Sequence, residues 1–456
     1  MSSLLGTMSI AMGALEAQQA GLETTTNNIA NLNTPGYTRQ RPILQEADPI
    51  INGRIAYGDG VKLQGIESLR DSILELQISN ETQQQGQSQA YVNAMSQAQT
   101  LFPDDTSGIG QQISNFFQSL NSLSTDPSNL ALRQSVLSAA NGMASAFNGV
   151  ANQLSAQRSS LDQNVQQTAG EVNQITQEIA SINTKLAKLS STAQGYGSFL
   201  DQRDNLIQKL SGLIDVSVIN DGTSITLTTR QGATLVADSQ SFAVSTALDP
   251  ASGVQHIYSQ GTDITAKISG GELGGLLQAR DQTLPAMQTQ LDSLASGLVQ
   301  ALNTAHAQGF DLNGNAGGNL FSPVSGAGAA ASMAVAISDP TLLAASSDGT
   351  TGSNGNLANL SAVANQSVSN GMTPTQAYGN LVFQAGSAVS DGTAELNASN
   401  AMLQQLQQQQ ASVSGVSLDE EASNLLLYQR AYQAAAQAIT TVDQMLQTAI
   451  QMGAGT

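Results

Sequence analysis

Cysteine and tryptophan are both absent from the 456 residues. Without cysteine there are no disulfides, thiolate metal sites, cysteine nucleophiles or iron–sulfur clusters. Histidine is confined to His256 and His306. Aromatic residues make up only 4% of the chain, so any core is built from Leu, Ile, Val, Ala and Met. Charged residues are scarce as well, at 11% against a usual value of about 25%. Gln, Asn, Ser and Thr must therefore supply most of the polar surface. Basic residues are the rarest of the charged ones: 15 Lys and Arg face 34 Asp and Glu, for a net charge of −19. Binding to nucleic acid needs a dense basic face, so no nucleic-acid partner is expected. No apolar run approaches the roughly 18 residues of a membrane span, so membrane insertion is not expected either. Residues 4–14 are apolar, but no Lys or Arg precedes them and the first basic residue is Arg39, so a cleaved secretory signal is not expected.

What the chain does have is helical periodicity. Leu5, Met8, Met12, Leu15, Gln19, Leu22, Thr26 and Ile29 follow alternating steps of three and four, the spacing of a coiled-coil seam. The pattern stops at Asn33-Thr34-Pro35-Gly36-Tyr37, where Pro35 and Gly36 suit the two central positions of a type II turn. The C-terminus mirrors this arrangement. Ser417 and Glu420 have the spacing of a capping box, in which the Ser hydroxyl meets the Glu420 amide and the Glu carboxylate turns back on the Ser amide. Asp419, Glu420 and Glu421 also suit the positive end of a helix dipole. The helix they open carries the seam Leu425, Tyr428, Tyr432, Ala435, Ile439, Val442, Leu446 and Ala449.

A third seam, from Phe147 through Leu154, Leu161, Val172, Ile179 and Leu186 to Leu189, predicts one helix of about 45 residues, roughly 65 Å long. Asp126-Pro127 reads as the start of the helix before it. Over residues 213–267 the pattern turns to strand-like alternation, with Asn220-Asp221-Gly222 as a turn. Helix resumes over 273–305, loops fill 309–355 with a short strand at 335–337, and Thr373-Pro374-Thr375-Gln376 is a second capping box. The helix it opens runs into the Gln-rich tract 403–410, where Leu403 and Leu406 keep helical spacing.

The fold class expected is therefore multidomain and mainly α, with a smaller β part. Terminal helices pair as a coiled coil, a middle domain is built on long helices, and a β-rich insertion completes the chain. The expected divisions are 1–60 with 415–456 as the inner coiled coil and its connecting loop, 61–212 with 271–414 as the helical middle, and 213–270 as a small β domain.

Little in the sequence suggests catalysis. Asp311-Leu312-Asn313-Gly314-Asn315 begins like a calcium loop, but it lacks Gly at the sixth place and has Ser322 where a bidentate Glu belongs, so a turn held by Asx side chains is the plainer reading. Neither histidine has a partner at ligand spacing. Asp104-Asp105 and Glu420-Glu421 are adjacent carboxylates, which on a helix point about 100° apart and form no paired site. No phosphate loop, nucleophile elbow or zinc signature is present. No cofactor, no metal and no enzymatic activity are expected.

Two stretches resemble a known family. Asn27-Asn28-Ile29-Ala30-Asn31-Leu32-Asn33-Thr34-Pro35-Gly36-Tyr37-Thr38-Arg39-Gln40 and Gly415-Val416-Ser417-Leu418-Asp419-Glu420-Glu421, with Tyr428-Gln429-Arg430-Ala431-Tyr432, are similar to the ends of bacterial flagellar axial proteins: rod, hook and hook-associated proteins. Within that family the hook-associated proteins of the hook–filament junction are the most similar, and Gly270-Gly271-Glu272-Leu273 and His306-Ala307-Gln308-Gly309-Phe310 resemble their middle. The resemblance implies a structural protein of the extracellular flagellum, exported by the flagellar type III route without a cleaved signal peptide. It implies a ring of copies of this chain in the axial tube, with hook protein, a second hook–filament junction protein and an export chaperone as partners. The assembly interface would be formed by Leu5, Met8, Met12, Leu15, Leu22, Ile29, Leu425, Tyr428, Tyr432, Ala435, Ile439, Val442 and Leu446, with Pro35, Gly36 and Tyr37 as the turn toward the next domain. The terminal helices are expected to order only when neighbouring copies bury their seams. A rod or hook protein is the alternative within the class, and a leaderless secreted hydrolase or adhesin the alternative outside it.

Overall fold

The computed structural model describes residues 2–52, 55–103, 108–193, 195–220 and 225–453. Helix α1 (Ser2–Ala30) is followed by strands β1 (Gln40–Glu46), β2 (Ile50–Asn52), β3 (Ile55–Tyr57) and β4 (Val61–Ser68), then helices α2 (Ser72–Gln99), α3 (Ile109–Leu123), α4 (Leu130–Leu186) and α5 (Tyr196–Leu213). Strands β5 (Ser217–Asn220), β6 (Ile225–Thr228), β7 (Thr234–Ala237), β8 (Gln240–Ser241), β9 (Val244–Leu248), β10 (Gln255–Ser259) and β11 (Thr262–Asp263) come next. The chain closes with α6 (Gly271–Gln278), α7 (Leu284–Ala307), α8 (Gly355–Ala362), α9 (Pro374–Ser414) and α10 (Leu418–Gly453).

The third seam becomes the spine of the molecule. Helix α4 runs for 57 residues, longer than the periodicity of its second half suggests, because the helix expected before the seam continues straight into it. Its N-cap is Asn129, whose side chain accepts from the Ala131 and Leu132 amides; Asp126-Pro127 sits in the preceding turn and starts no helix. Phe147, Leu154, Leu161, Val165, Val172 and Ile179 are all buried. Around them α2, α3, α5, α6 and α7 pack as a bundle. The β segment forms two antiparallel sheets, ordered β5-β6-β7-β8 and β11-β10-β9. Leu227 and Val236 of the first and Ile257 of the second belong to the same buried cluster as Val165 and Val172, so the sheets lie on α4 and share its core. The turn expected at Asn220-Asp221-Gly222 falls, for Asp221 and Gly222, outside the described residues.

Helix α9 opens with the capping box expected of Thr373 and Gln376: the Thr hydroxyl accepts from the Gln376 amide, and the Gln side chain accepts from the Thr373 amide. In its Gln-rich tract Leu403 and Leu406 are buried against Leu74 and Ile78 of α2, which gives the tract one apolar face and one solvated face. Residues 309–355 are mostly loop, and in place of the short strand at 335–337 there is a single bridge between Val335 and Phe321.

One element departs from the sequence reading. Residues 40–68 form an antiparallel pair, β1 with β4, where a connecting loop leading into helix was expected. Pro42 within β1 and the polar runs Gln40-Arg41 and Gln45-Glu46 hide the two-residue alternation that marks a strand. The expected domain boundary at residue 60 therefore falls inside this hairpin. The terminal helices pair as expected: α1 and α10 pack on each other within one chain.

Candidate assembly site at the chain ends

Helices α1 and α10 run antiparallel, because Asn28 near the end of α1 meets Glu421 near the start of α10, and Gly21 meets Tyr428 one heptad further on. Continued in the same register, Ala14 lies opposite Ala435. On α10 the seam positions Leu425, Tyr428, Tyr432, Ile439, Leu446 and Ala449 are half-buried, and Ala435 and Val442 are buried. On α1 the buried stripe lies one or two positions N-terminal to the expected seam. It consists of Ala11, Ala17, Ala20, Gly21, Thr24, Thr25 and Asn28.

The large residues of α1 flank that stripe. Met8, Leu15, Leu22 and Ile29 are half-buried and Met12 is exposed; the side chain of Leu5 lies outside the described residues. The reason is steric. Hairpin β1–β4 also packs on α1, and a Cβ at Gly13 would fall 2.5 Å from the Val61 carbonyl oxygen, so small residues take the crowded positions. Large apolar side chains are left outside. Met12 is 50% exposed, Leu427 63% and Met452 68%, and Ile10, Leu426, Met445 and Ile450 are likewise open.

The two family-like motifs meet at one end of the helix pair in a buried polar knot. Asn28 uses its full hydrogen-bonding capacity there. Its amide nitrogen donates to the Gln40 carbonyl (2.9 Å) and to Glu421 Oε2 (3.1 Å), and its Oδ1 accepts from the Gln40 amide (3.0 Å) and the Tyr37 hydroxyl (2.8 Å). Arg39 donates from Nε to Glu421 (2.7 Å) and from Nη1 to Glu420 (2.9 Å), and its backbone amide donates to the Ser414 carbonyl (2.9 Å). Glu421 is 1% exposed. Glu420, expected to turn back on the Ser417 amide, accepts instead from Arg39.

The turn leading into the knot has the geometry its residues demand. Gly36 adopts φ +74, and the Tyr37 amide donates to the Thr34 carbonyl (3.2 Å), the hydrogen bond of a type II turn. Burial pushes the Tyr37 phenol well above its ordinary range, and the Asp201 and Glu421 carboxylates push it further, so it stays a neutral donor to Asn28. One residue on, the Thr38 amide and hydroxyl both donate to Asp201 of α5. Arg70, just before α2, donates to Asp201 and Asp204. Burial raises the Asp201 carboxyl above its usual range, while the Thr38 hydroxyl and Arg70 pull against it. A continuous polar chain thus joins the terminal helix pair to the helical body.

Other candidate residues serve local structure. Asp311 Oδ1 accepts from the Asn313 and Asn315 amides (2.8 Å each), which is the Asx turn rather than a calcium loop. His306 is buried, donates from Nδ1 to the Gly318 carbonyl (2.8 Å) and accepts at Nε2 from the Ala344 amide (2.9 Å); burial lowers its pKa. Asp104-Asp105 lies outside the described residues.

One arrangement escaped the sequence reading. Ser252 Oγ lies 3.2 Å from His256 Nε2, and His256 Nδ1 lies 2.7 Å from Asp263, the spacing of a hydrolytic triad. Its surroundings oppose that chemistry. Asp249 takes the Ser252 amide on its carboxylate (2.8 Å) and the Gly253 amide on its carbonyl (2.9 Å), so neither amide is free to bind an oxyanion. The same carboxylate stands 3.7 Å from Nε2, where it would repel a developing oxyanion.

Three family models match the chain. The flagellar hook-associated protein FlgK helical domain matches residues 95–321, the flagella basal body rod protein model matches 8–38, and the flagellar basal body rod FlgEFG protein C-terminal model matches 407–452. Flagellar hook-associated protein 1 of Escherichia coli is 29% identical over 333 residues, covering 70% of this chain and 60% of that protein. The chain thus matches less than two thirds of that relative's length. Flagellar hook-associated protein 1 of Bacillus subtilis is 28% identical over 505 residues, covering all of both chains. The solved structure of the flagellar hook junction protein FlgK from Burkholderia pseudomallei superposes with a TM-score of 0.67 at 20% identity, over 74% of this chain and all of that one, and so shares its fold.

Proposed function

The chain belongs to the flagellar hook-associated protein family, and from that premise we propose that it is a structural protein that joins hook to filament, its terminal helices packing into the axial tube among copies of itself. The observation that carries the reading is the apolar surface left open on α1 and α10 after they have paired. Met12, Leu426, Leu427, Met445, Ile450 and Met452 are large and water-exposed on the two helices that the rod-protein models match. Such a concentration on one helix pair marks an interaction surface. The knot and its link to Asp201 and Arg70 would hold that surface at a set angle to the helical body. On this reading the two ends form the inner part, the long helices the middle and the two sheets an outer face. The partners are hook protein on one side, a second junction protein on the other, and an export chaperone before assembly, with the flagellar type III apparatus as the route out of the cell.

The test is electron microscopy of cells lacking this chain, with flagellin assayed in the medium. Bare hooks with flagellin lost to the medium support the junction role. Missing hooks would point to a rod or hook protein, and normal filaments would remove the flagellar role altogether.

A further inference from the structure

We infer that the buried cluster of Asn28, Arg39 and Glu421, rather than the apolar seam, sets the register in which α1 lies on α10. The stripe that α1 buries is made of small residues, with Ala11, Ala17, Ala20 and Gly21 recurring along it. A face of this kind offers near-equivalent seats to the larger side chains of α10 at successive turns. A slide of one heptad, about 10 Å along the axis, would bring Tyr428 opposite Ala14 in one direction, or Ala435 opposite Gly21 in the other, each a small residue of α1. The seam contains one specific fit, at Gly21, where a Cβ would fall 2.7 Å from the Tyr428 ring.

The knot is far less forgiving. Any slide strands the Glu421 carboxylate, buried to 1% exposure, without Arg39 or Asn28, breaks the one Asn28 hydrogen bond that crosses to α10, and leaves the Arg39 guanidinium without its two carboxylates. A charge left unpaired in the interior is heavily penalised, whereas an intact buried pair adds little net stability over an apolar replacement. That combination suits a register device, as a lone polar group does in a coiled-coil seam. The residues that make it come from three places in the chain: the end of α1, the entry to β1 and the first turn of α10. Only one alignment of the two helices brings them together.

The chain has no cysteine of its own, so paired spin labels can be placed cleanly. Labels on the full chain at Glu16→Cys and Gln444→Cys, both exposed positions at different heights on the helix pair, would be read by double electron–electron resonance. The parent is expected to give one narrow distance distribution. The double replacement Arg39→Met with Glu421→Leu, which leaves no stranded charge, should broaden it or add a component displaced by several Å, up to about 10 Å, with helix content unchanged by circular dichroism. Tyr428→Ala should keep the narrow distribution. Should the double variant lose helix content, Glu421→Gln replaces it and is expected to broaden the distribution less. A narrow, unshifted distribution in the knot variant, broadening in Tyr428→Ala alone, or a broad parent distribution would each overturn the proposal.

Discussion

Helices α4 and α10 carry the same seam pattern and end in opposite surroundings. On α4 the seam residues Phe147, Val165, Val172 and Ile179 are fully buried beneath the bundle and both sheets. On α10 the seam is only half-covered, and Leu426, Leu427, Met445 and Ile450 beside it remain in water. The pairing partner of α10 is a narrow stripe of small residues on α1, whereas the apolar face of α4 is covered by helices and by both sheets. A periodic apolar stripe therefore states that a helix needs a partner, and the number of elements around it decides whether one chain supplies enough. In α4 the chain completes its own core. In α1 and α10 large apolar side chains remain exposed after pairing.

The sharpest way to break this comparison is one substitution on each helix. Phe147→Ala should lower the stability of the free chain by about 3–5 kcal/mol in denaturant melts. Leu427→Asp should change that stability by no more than about 0.5 kcal/mol and yet abolish incorporation into flagella, counted by immunogold labelling. Normal incorporation of Leu427→Asp would mean that the outer face of α10 has no partner.

Acid should distinguish the two regions next. His306 is neutral in the fold, because burial lowers its pKa from 6.5 and its Nε2 accepts from Ala344. A group with a depressed cationic pKa binds fewer protons folded than unfolded, so stability is lost as pH falls below about 6.5. The protection factor of the Ala344 amide, its exchange referred to the intrinsic rate at each pH, should fall between pH 7 and pH 5 in the parent, while that of the Arg39 amide, bonded to Ser414, responds less. His306→Gln should lose this acid sensitivity.

Smaller effects sharpen the picture further. Gly36→Ala places a side chain at φ +74, against Asn205, and should cost about 1–2 kcal/mol, read as a loosening of the turn between α1 and the body. Thr373→Ala removes the hydroxyl of the α9 capping box and should lower body stability by about 1 kcal/mol, with no effect on the terminal pair.

Much of this architecture is legible in the amino-acid order. Helical spacing marks α4 and α10, and a Thr-Pro-Thr-Gln start marks α9, because these signals are local. The phase of α1 is not, since its buried stripe is set by the approach of β4 to Gly13 and of Tyr428 to Gly21, and both partners are remote in sequence. Strands β1 and β4 are hidden for a related reason: their alternation is weak, and only pairing makes them strands. The knot shows the limit most clearly. Asn28, Arg39 and Glu421 all lie in the two motifs that stand out, yet Glu421 there reads as part of a helix cap. Its bond to Arg39 joins residues 382 apart in the chain, a separation that no local pattern encodes.

If the apolar residues left open on α1 and α10 are covered in the assembled flagellum, three methionines among them record it directly. Met12, Met445 and Met452 are exposed there, whereas Met95, Met143 and Met287 are buried in the body and serve as internal controls. Peroxide footprinting with mass spectrometry would be run on the free chain and on isolated hook–filament structures. The account predicts rapid oxidation of Met12, Met445 and Met452 in the free chain and their protection in the assembly, with the body methionines slow in both. Equal oxidation of those three residues in the free and assembled states would contradict it.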